Sequence, residues 1–109
     1  MSWTILKDET GLTEIKKKSS LQPQVIYKHS TRCGVSSMVR NRLERSGLPG
    51  HIDFHFLDLI AHRSLSDKIA HDFSIRHESP QVLLIKDGKC IYDESHYAIS
   101  MDEIIEKAG

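Results

Sequence analysis

Cysteine is scarce in this chain, since only Cys33 and Cys90 occur among its 109 residues. Two cysteines are too few for a disulfide framework, and their separation excludes a Cys-x-x-Cys pair. In a reducing compartment each is expected to be a free thiol, so the question is whether one of them is reactive. The chain is long enough to bury a core without disulfides, and it fits a single domain over residues 1–109.

An excess of charge of either sign is also missing. Lys and Arg number 15, Asp and Glu number 15, and the formal net charge is zero. Nucleic-acid-binding proteins normally carry a basic excess, so we expect no nucleic-acid partner. No apolar run approaches the roughly 18–20 residues of a membrane helix, and the N-terminus lacks the pattern of a signal peptide. We therefore expect no membrane association and a cytoplasmic location.

Short elements of alternating type account for most of the chain. Apolar residues recur at helical spacing in some segments and alternate or run continuously in others, as in strands. The predicted strands are Trp3–Leu6 (a short edge strand), Val25–His29, Ile52–Leu57, Gln81–Lys86 and Lys89–Asp93. Four helices are predicted. The first is Thr10–Ser19, with Thr10 as its cap, and the second is Gly34–Ser46, with an inward face of Val35, Met38, Val39 and Leu43. The third is capped by Ser64 and includes Leu65, Ile69 and Phe73, and the fourth is capped by Ser100 and has an inward face of Met101, Ile104, Ile105 and Ala108.

The element order is β-α-β-α-β-β-α, with a possible β-α prelude. Strands joined through helices are expected to run parallel, and the turn signal Asp87-Gly88 makes the last two strands an antiparallel hairpin. The order predicts an α/β domain with a mixed central sheet and helices on both of its faces.

Cys33 stands between a strand and the start of a helix. Free backbone N–H groups and the helix dipole favour an anion there, which lowers the pKa of a thiol. Arg32 adds a positive charge, Gly34 opens the helix, and Ser36 can donate its hydroxyl, so these three are predicted to stabilise a thiolate. A cysteine that only fills space is the alternative, but the neighbours of Cys33 are polar or small rather than apolar.

Pro80 opens a buried strand after Ser79. A cis Ser79-Pro80 bond is possible because X-Pro bonds adopt cis far more readily than other peptide bonds. A trans proline that simply begins the strand is the alternative.

The strand, the cysteine, the later proline, the hairpin and the closing helix together resemble the thioredoxin fold. Residues 73–89 look like the thioredoxin passage through its cis-proline into the hairpin. The resemblance implies that Ser79 and Pro80 lie beside Cys33 and align the substrate as an added strand. His29, Thr31, His77 and His96 are predicted to complete the substrate-binding surface.

A closer resemblance is to the monothiol bacilliredoxins of the YtxJ type, over nearly the whole chain from about Trp3. That family usually has Thr-Cys-Pro-Ile-Ser at its active site, whereas this chain has Arg32 inserted before the cysteine and Gly34 in place of the proline. The matching segments are Lys28-His29-Ser30-Thr31, His77-Glu78-Ser79-Pro80-Gln81, Ile85-Lys86-Asp87-Gly88-Lys89, and Ser95-His96-Tyr97 with Ile99.

This resemblance implies a thiol-disulfide oxidoreductase that removes bacillithiol or another low-molecular-weight thiol from client proteins through Cys33. Because Ser36 stands where a resolving cysteine would be, the route is monothiol, and Cys90 is predicted to lie too far away to replace it. We expect S-thiolated client proteins and the small thiol as partners, no cofactor other than that co-substrate, and a monomer.

The site also resembles a second family, because Cys33-Gly34-Val35-Ser36 is similar to the Cys-Gly-Phe-Ser site of monothiol glutaredoxins. That family binds a [2Fe–2S] cluster between two subunits, so an Fe–S cluster carrier or a non-enzymatic thioredoxin-like binding module is the alternative function. The seven histidines show no zinc-like spacing with cysteine, and no metal site is predicted. Three of them, His29, His77 and His96, could instead gather near Cys33.

Overall fold

A computed structural model describes residues 3–109, which form five strands, four α-helices and a short 3₁₀ turn. The predicted order is confirmed, and the β-α prelude is present. Within residues 3–109, no helix combines the length and apolar character that crossing a bilayer requires. The elements are β1 (Thr4–Ile5), α1 (Glu9–Lys18), β2 (Gln24–His29), α2 (Gly34–Ser46), β3 (Asp53–Asp58), α3 (Arg63–Asp72), β4 (Gln81–Lys86), β5 (Lys89–Ser95), the 3₁₀ turn His96–Ala98 and α4 (Met101–Ala108).

The strands form one mixed sheet in the order β1-β3-β2-β4-β5, so β2 is central. β1 and β2 run parallel to β3, whereas β4 runs antiparallel to β2, and β5 to β4. The hairpin is confirmed, with positive φ at both Asp87 and Gly88 as its tight turn requires. The expectation that helix-linked strands run parallel is wrong for β4. The chain from α3 through residues 73–80 reaches the far side of β2 with its direction reversed.

Helices cover both faces of the sheet, as predicted. Because side chains alternate along a strand, Val25 and Tyr27 of β2 face one side and Ile26 faces the other. One core holds Val25 and Tyr27 together with Val39 and Leu43 of α2 and Met101, Ile104 and Ala108 of α4. The other holds Ile26 together with Leu12 and Ile15 of α1 and Leu65 and Ile69 of α3.

Two helices begin at side-chain caps. Asp8, not Thr10, caps α1, since its carboxylate accepts the Gly11 N–H at 2.8 Å and the helix starts one residue earlier than predicted. Ser100 caps α4 as predicted, and its hydroxyl accepts the Glu103 N–H at 3.2 Å. Such caps satisfy N–H groups that the helix itself leaves unpaired.

Three local predictions are wrong, each by a small rotation or shift along a helix. Ser64 does not cap α3, because that helix already begins at Arg63. Met38 and Ile105, which were expected to face inward, are 40% and 39% exposed. On α2 an inward position belongs instead to Ser36, which is fully buried.

A polar network closes the end of the sheet opposite the Cys33 loop. The Gln24 amide donates to Asp53 at 2.7 Å, which leaves the Gln24 Oε1 atom to accept from His55 Nε2 at 2.8 Å. His55 is 6% exposed, and burial lowers its pKa to about 4. The imidazole is therefore neutral in the folded protein at neutral pH.

This buried histidine predicts a loss of stability in acid. The unfolded chain binds a proton at His55 below about pH 6.5, and the folded chain does so only near 4, so stability present above 6.5 is lost as the pH falls. The free energy of unfolding should fall by about 3 kcal/mol through this residue between those values. Urea unfolding across that range should show the decline in the wild type.

The variant His55→Gln should have a flatter pH dependence, since glutamine does not titrate. The matched control is His51→Gln at an exposed histidine, which should keep the wild-type slope. An unchanged slope in His55→Gln would show that burial of His55 does not govern acid sensitivity.

Candidate active site

Cys33 occupies the N-cap position of α2, immediately after the loop that leaves the central strand. Its backbone is extended, with φ −113° and ψ 116°, and its half-buried side chain makes no capping hydrogen bond. The Cys33 N–H donates to the Ser30 carbonyl at 3.1 Å, and the Cys33 carbonyl accepts from the Ser37 N–H at 3.3 Å. The other N–H groups of the first turn have no partner within the helix, and they remain available to the sulfur.

Hydrogen-bond donors in the first turn of α2 lower the pKa of Cys33, because they favour negative charge on the sulfur. The Ser36 N–H is the largest cause; partial burial opposes it, and the Ser36 hydroxyl and the Val35 N–H add to it. Ser36 is held in place because its Oγ accepts the Ser30 N–H at 3.3 Å, which leaves the hydroxyl hydrogen free to point to the sulfur. The predicted role of Ser36 therefore has a structural basis.

Thr31, Arg32 and Gly34 are exposed around the cysteine. Neither Arg32 nor Gly34 is among the groups that lower the pKa of Cys33. The Arg32 side chain extends into water, where screening weakens its charge. A Cβ added at Gly34 would meet no atom within 4 Å, so no close approach demands glycine there. The groups that lower the pKa of Cys33 therefore belong to Ser36 and Val35.

The segment before β4 that contains Ser79 and Pro80, the proline loop, reaches the end of the sheet where Cys33 lies. The Ser79-Pro80 bond is cis, which confirms the prediction. The antiparallel register of β2 and β4 puts Pro80 beside His29, at the end of β2 that leads to Cys33. The Pro80 carbonyl accepts the His96 N–H at 3.0 Å. In the described part of the chain, the N–H and C=O of Ser79 have no backbone partner, and its buried Oγ is unpaired as well.

Two of the predicted site histidines have contrasting environments. His29 is almost fully buried, with its ring packed on Phe56 at 5.0 Å between centroids. Burial lowers the pKa of His29, and the charge of Arg40 lowers it further, so the ring is neutral at neutral pH. His96 is exposed, with Nε2 3.6 Å from the Glu78 carboxylate. Over residues 3–109, no three His, Cys, Asp or Glu side chains are arranged to hold a metal ion.

The third histidine, His77, faces the interior rather than the substrate side. Its Nδ1 lies 3.3 Å from both the Lys28 ammonium and the Ser66 hydroxyl. Lys28 and Ser66 are both fully buried, and the sequence-based prediction missed them. The signal for Lys28 was a lysine at an alternating inward position of a strand that is otherwise apolar.

Cys90 is remote from this site. It lies opposite Ile85 in the hairpin, and its S–H donates to the Tyr92 carbonyl at 3.4 Å. Burial raises the pKa of Cys90 to about 11. Five residues of strand separate Ile85 from Pro80, which corresponds to roughly 15–20 Å. A disulfide needs Cα atoms within about 7 Å, so Cys90 cannot resolve a disulfide at Cys33 without a rearrangement of the sheet.

Solved structures share this fold. The chain is similar to a protein described as a candidate oxidoreductase with a thioredoxin fold, at 22% identity and TM-score 0.80, covering 96% of this chain and 92% of that one. A thioredoxin of Malassezia sympodialis (Mala s 13) matches at 16% identity and TM-score 0.81, over 99% and 92% of the two chains. Thioredoxin f2 of Chlamydomonas reinhardtii matches at 15% identity and TM-score 0.73, over 96% of this chain and 92% of that one. The α/β prediction of a thioredoxin fold is confirmed.

The family is shown by a sequence match. The family described as monothiol bacilliredoxin BrxC matches residues 4–104, a span that contains all five strands, Cys33 and the proline loop. One thiol at the start of a helix, without a second cysteine in reach, is the arrangement that monothiol exchange requires. The chain therefore belongs to the monothiol bacilliredoxin family, and it is a thiol-disulfide oxidoreductase.

Proposed function

We propose that this protein removes bacillithiol, or a related low-molecular-weight thiol, from protein mixed disulfides through Cys33. The observation that carries the proposal is the Cys33 sulfur at the free N–H groups of α2, with Ser36 in the place of a resolving cysteine. Membership of the family favours bacillithiol as the small thiol. We assign the reaction to the cytoplasm, with S-thiolated proteins as partners, the small thiol as the only co-substrate, and a monomer as the active unit.

The first step is an exchange at the Cys33 sulfur. The thiolate attacks the small-thiol sulfur of the client mixed disulfide, and a new S–S bond forms between that sulfur and Cys33. The old S–S bond breaks, and the client sulfur leaves as a thiolate that takes a proton from water. The client is reduced and Cys33 is oxidised, so the electrons balance.

The second step restores the enzyme without a second protein cysteine. A free small thiol, as its thiolate, attacks the small-thiol sulfur held on Cys33. The products are the small-thiol disulfide and the Cys33 thiolate, which is a good leaving group because its pKa is lowered. The reaction therefore depends on the concentration of small thiol and not on Cys90.

The proline loop supplies groups that would align the client. The N–H and C=O of Ser79 lack backbone partners in the described residues, and an extended client segment could pair with them as an added strand. The exposed side chains of Thr31 and His96 lie on the elements that flank this loop, and they are proposed to contact the substrate. His29 is buried, so we assign it a place beneath the loop rather than a direct contact.

The variant Cys33→Ser should reduce turnover of a bacillithiolated client protein to the uncatalysed rate, since no other thiol can attack. The matched variant Cys90→Ser should keep turnover within about twofold, because Cys90 takes part in neither step. Release of the client thiol, followed with free bacillithiol as reductant, measures both. The same client carrying glutathione should react more slowly.

Full turnover in Cys33→Ser, or a large loss in Cys90→Ser, would contradict the monothiol assignment. Equal rates with the bacillithiol and glutathione adducts would contradict the choice of small thiol. A freshly purified protein that is a brown dimer, with absorbance of an Fe–S cluster and no exchange activity, would point instead to a cluster carrier.

The contribution of the Ser36 hydroxyl to the thiolate is testable by the pH dependence of alkylation. Ser36→Ala should raise the pKa of Cys33, because the hydroxyl donor is lost while the N–H donors remain. Arg32→Ala and the neighbouring control Ser37→Ala should leave the pKa near that of the wild type. Iodoacetamide rates measured against pH give the three values. A larger shift in Arg32→Ala than in Ser36→Ala would show that the charge of Arg32 stabilises the thiolate more than the Ser36 hydroxyl does.

A further inference from the structure

Lys28 is a fully buried lysine in the central strand, and neither step of the exchange uses it. It lies on the same face of β2 as Ile26, under α3, where a methionine of similar length would cost far less to bury. Burial lowers the pKa of Lys28 to about 8, an effect that Asp67 opposes and Arg63 reinforces. No carboxylate forms an ion pair with its ammonium group among residues 3–109.

The hydrogen bonds of Lys28 join α3 to the segment that carries the proline. Its Nζ donates to the Ser66 carbonyl of α3 at 3.1 Å and lies 3.3 Å from His77 Nδ1. His77 Nδ1 also lies 3.3 Å from the Ser66 hydroxyl. All three groups therefore meet at one buried point between β2, α3 and the loop.

This geometry determines the tautomer of His77. An ammonium group has only donors, so His77 Nδ1 must present its lone pair to Lys28. The ring proton of the neutral imidazole then sits on Nε2. A doubly protonated His77 would place an N–H against the Lys28 ammonium, and the contact would be lost.

His77 lies in the loop that aligns the substrate, two residues before Ser79. Further along the segment, the Pro80 carbonyl accepts the His96 N–H at 3.0 Å, and the Gln81 amide donates to the Arg76 carbonyl at 2.9 Å. The His77 contact holds this segment on the N-terminal side of Ser79 and Pro80. Displacement of a positioning group by about 1 Å can cost a large factor in rate, so an anchor here bears directly on exchange.

We propose that Lys28 is a positioning residue for thiol-disulfide exchange, whose ammonium group holds His77 and thereby the loop of Ser79 and Pro80 in place beside Cys33. The proposal rests on the exchange reaction at Cys33 described above. It adds a role for two buried polar residues, Lys28 and Ser66, that do not touch the thiol.

The anchor should weaken in acid, because protonation of His77 removes its acceptor. The groups that face His77 are Lys28 from β2, Arg63 and Asp67 from α3, and Glu78 in the loop. Burial and the charges of Lys28 and Arg63 lower the pKa of His77, while the two carboxylates raise it. The contact is therefore intact at neutral pH and is lost as the pH falls through the lowered pKa.

The first test compares Lys28→Met with Lys86→Met. Lys86 also lies on a strand and donates to a backbone carbonyl, that of Ala108 at 3.2 Å, but away from the site. Lys28→Met should lower kcat/KM for a bacillithiolated client about tenfold or more, while Lys86→Met stays within about twofold. Alkylation of Cys33 should be unchanged in both, because Lys28 is not among the groups that set the pKa of Cys33.

A second pair of variants, at His77, tests the same proposal if Lys28→Met does not fold. His77→Asn retains an acceptor oxygen near the position of Nδ1, and His77→Leu does not. His77→Leu should lose about tenfold in kcat/KM, and His77→Asn no more than about threefold. The exchange rate divided by the Cys33 alkylation rate at the same pH should fall in acid for the wild type and stay flat for His77→Asn, which does not titrate.

The histidine tautomer gives a readout that does not require turnover. Long-range ¹⁵N–¹H correlation spectra of the wild type should show His77 protonated on Nε2 alone at neutral pH, and Lys28→Met should populate the Nδ1–H form. A wild type protonated on Nδ1, or equal losses in His77→Leu and His77→Asn, would overturn the anchor. An Nε2–H wild type without any turnover would instead contradict the proposed function.

Discussion

The site depends on the position of Cys33 at the start of α2. Backbone N–H groups at a helix start have no partner in the helix, and here they favour the thiolate over the thiol. Ser36 contributes twice, through its N–H and its hydroxyl, and it is fixed by the Ser30 N–H. Because these donors belong to a packed helix, they need no rearrangement when negative charge develops on the sulfur. Donors fixed at the helix start therefore stabilise the thiolate more effectively than an exposed charged side chain, whose charge is screened by water.

Sheet topology determines which residues surround Cys33. The central strand β2 ends at the Cys33 loop, and its two faces carry different functions. Tyr27 on one face donates its hydroxyl to the Ser36 carbonyl at 2.7 Å, which ties the strand to α2. Lys28 on the other face reaches α3 and the proline loop. The reversed direction of β4 is essential, because a parallel β4 would begin at the opposite end of the sheet and Pro80 would lie far from the thiol.

Much of this arrangement could be predicted from the sequence, because local patterns determine it. Cys33 at the start of a helix, and the proline-to-hairpin passage that begins at Pro80, are readable from short segments. The inward face of α2 could not be predicted in this way, because hydrophobic periodicity favours Met38 over Ser36. The buried hydrogen bond of Ser36 instead determines how the helix is rotated about its axis. The role of Lys28 was hidden for a similar reason, because its partners come from α3 and from the loop before β4. Both were misjudged because contacts between distant segments outweigh local pattern.

The central claim is that Cys33 alone accepts the small thiol. The most direct measurement is a single turnover with a client protein carrying isotopically labelled bacillithiol, quenched with acid and mapped by mass spectrometry. The account predicts that the label reaches Cys33, at one per chain, as fast as the client thiol is freed, and that Cys90 stays unlabelled. Release of the client thiol without label on Cys33, or a disulfide between Cys33 and Cys90, would contradict it.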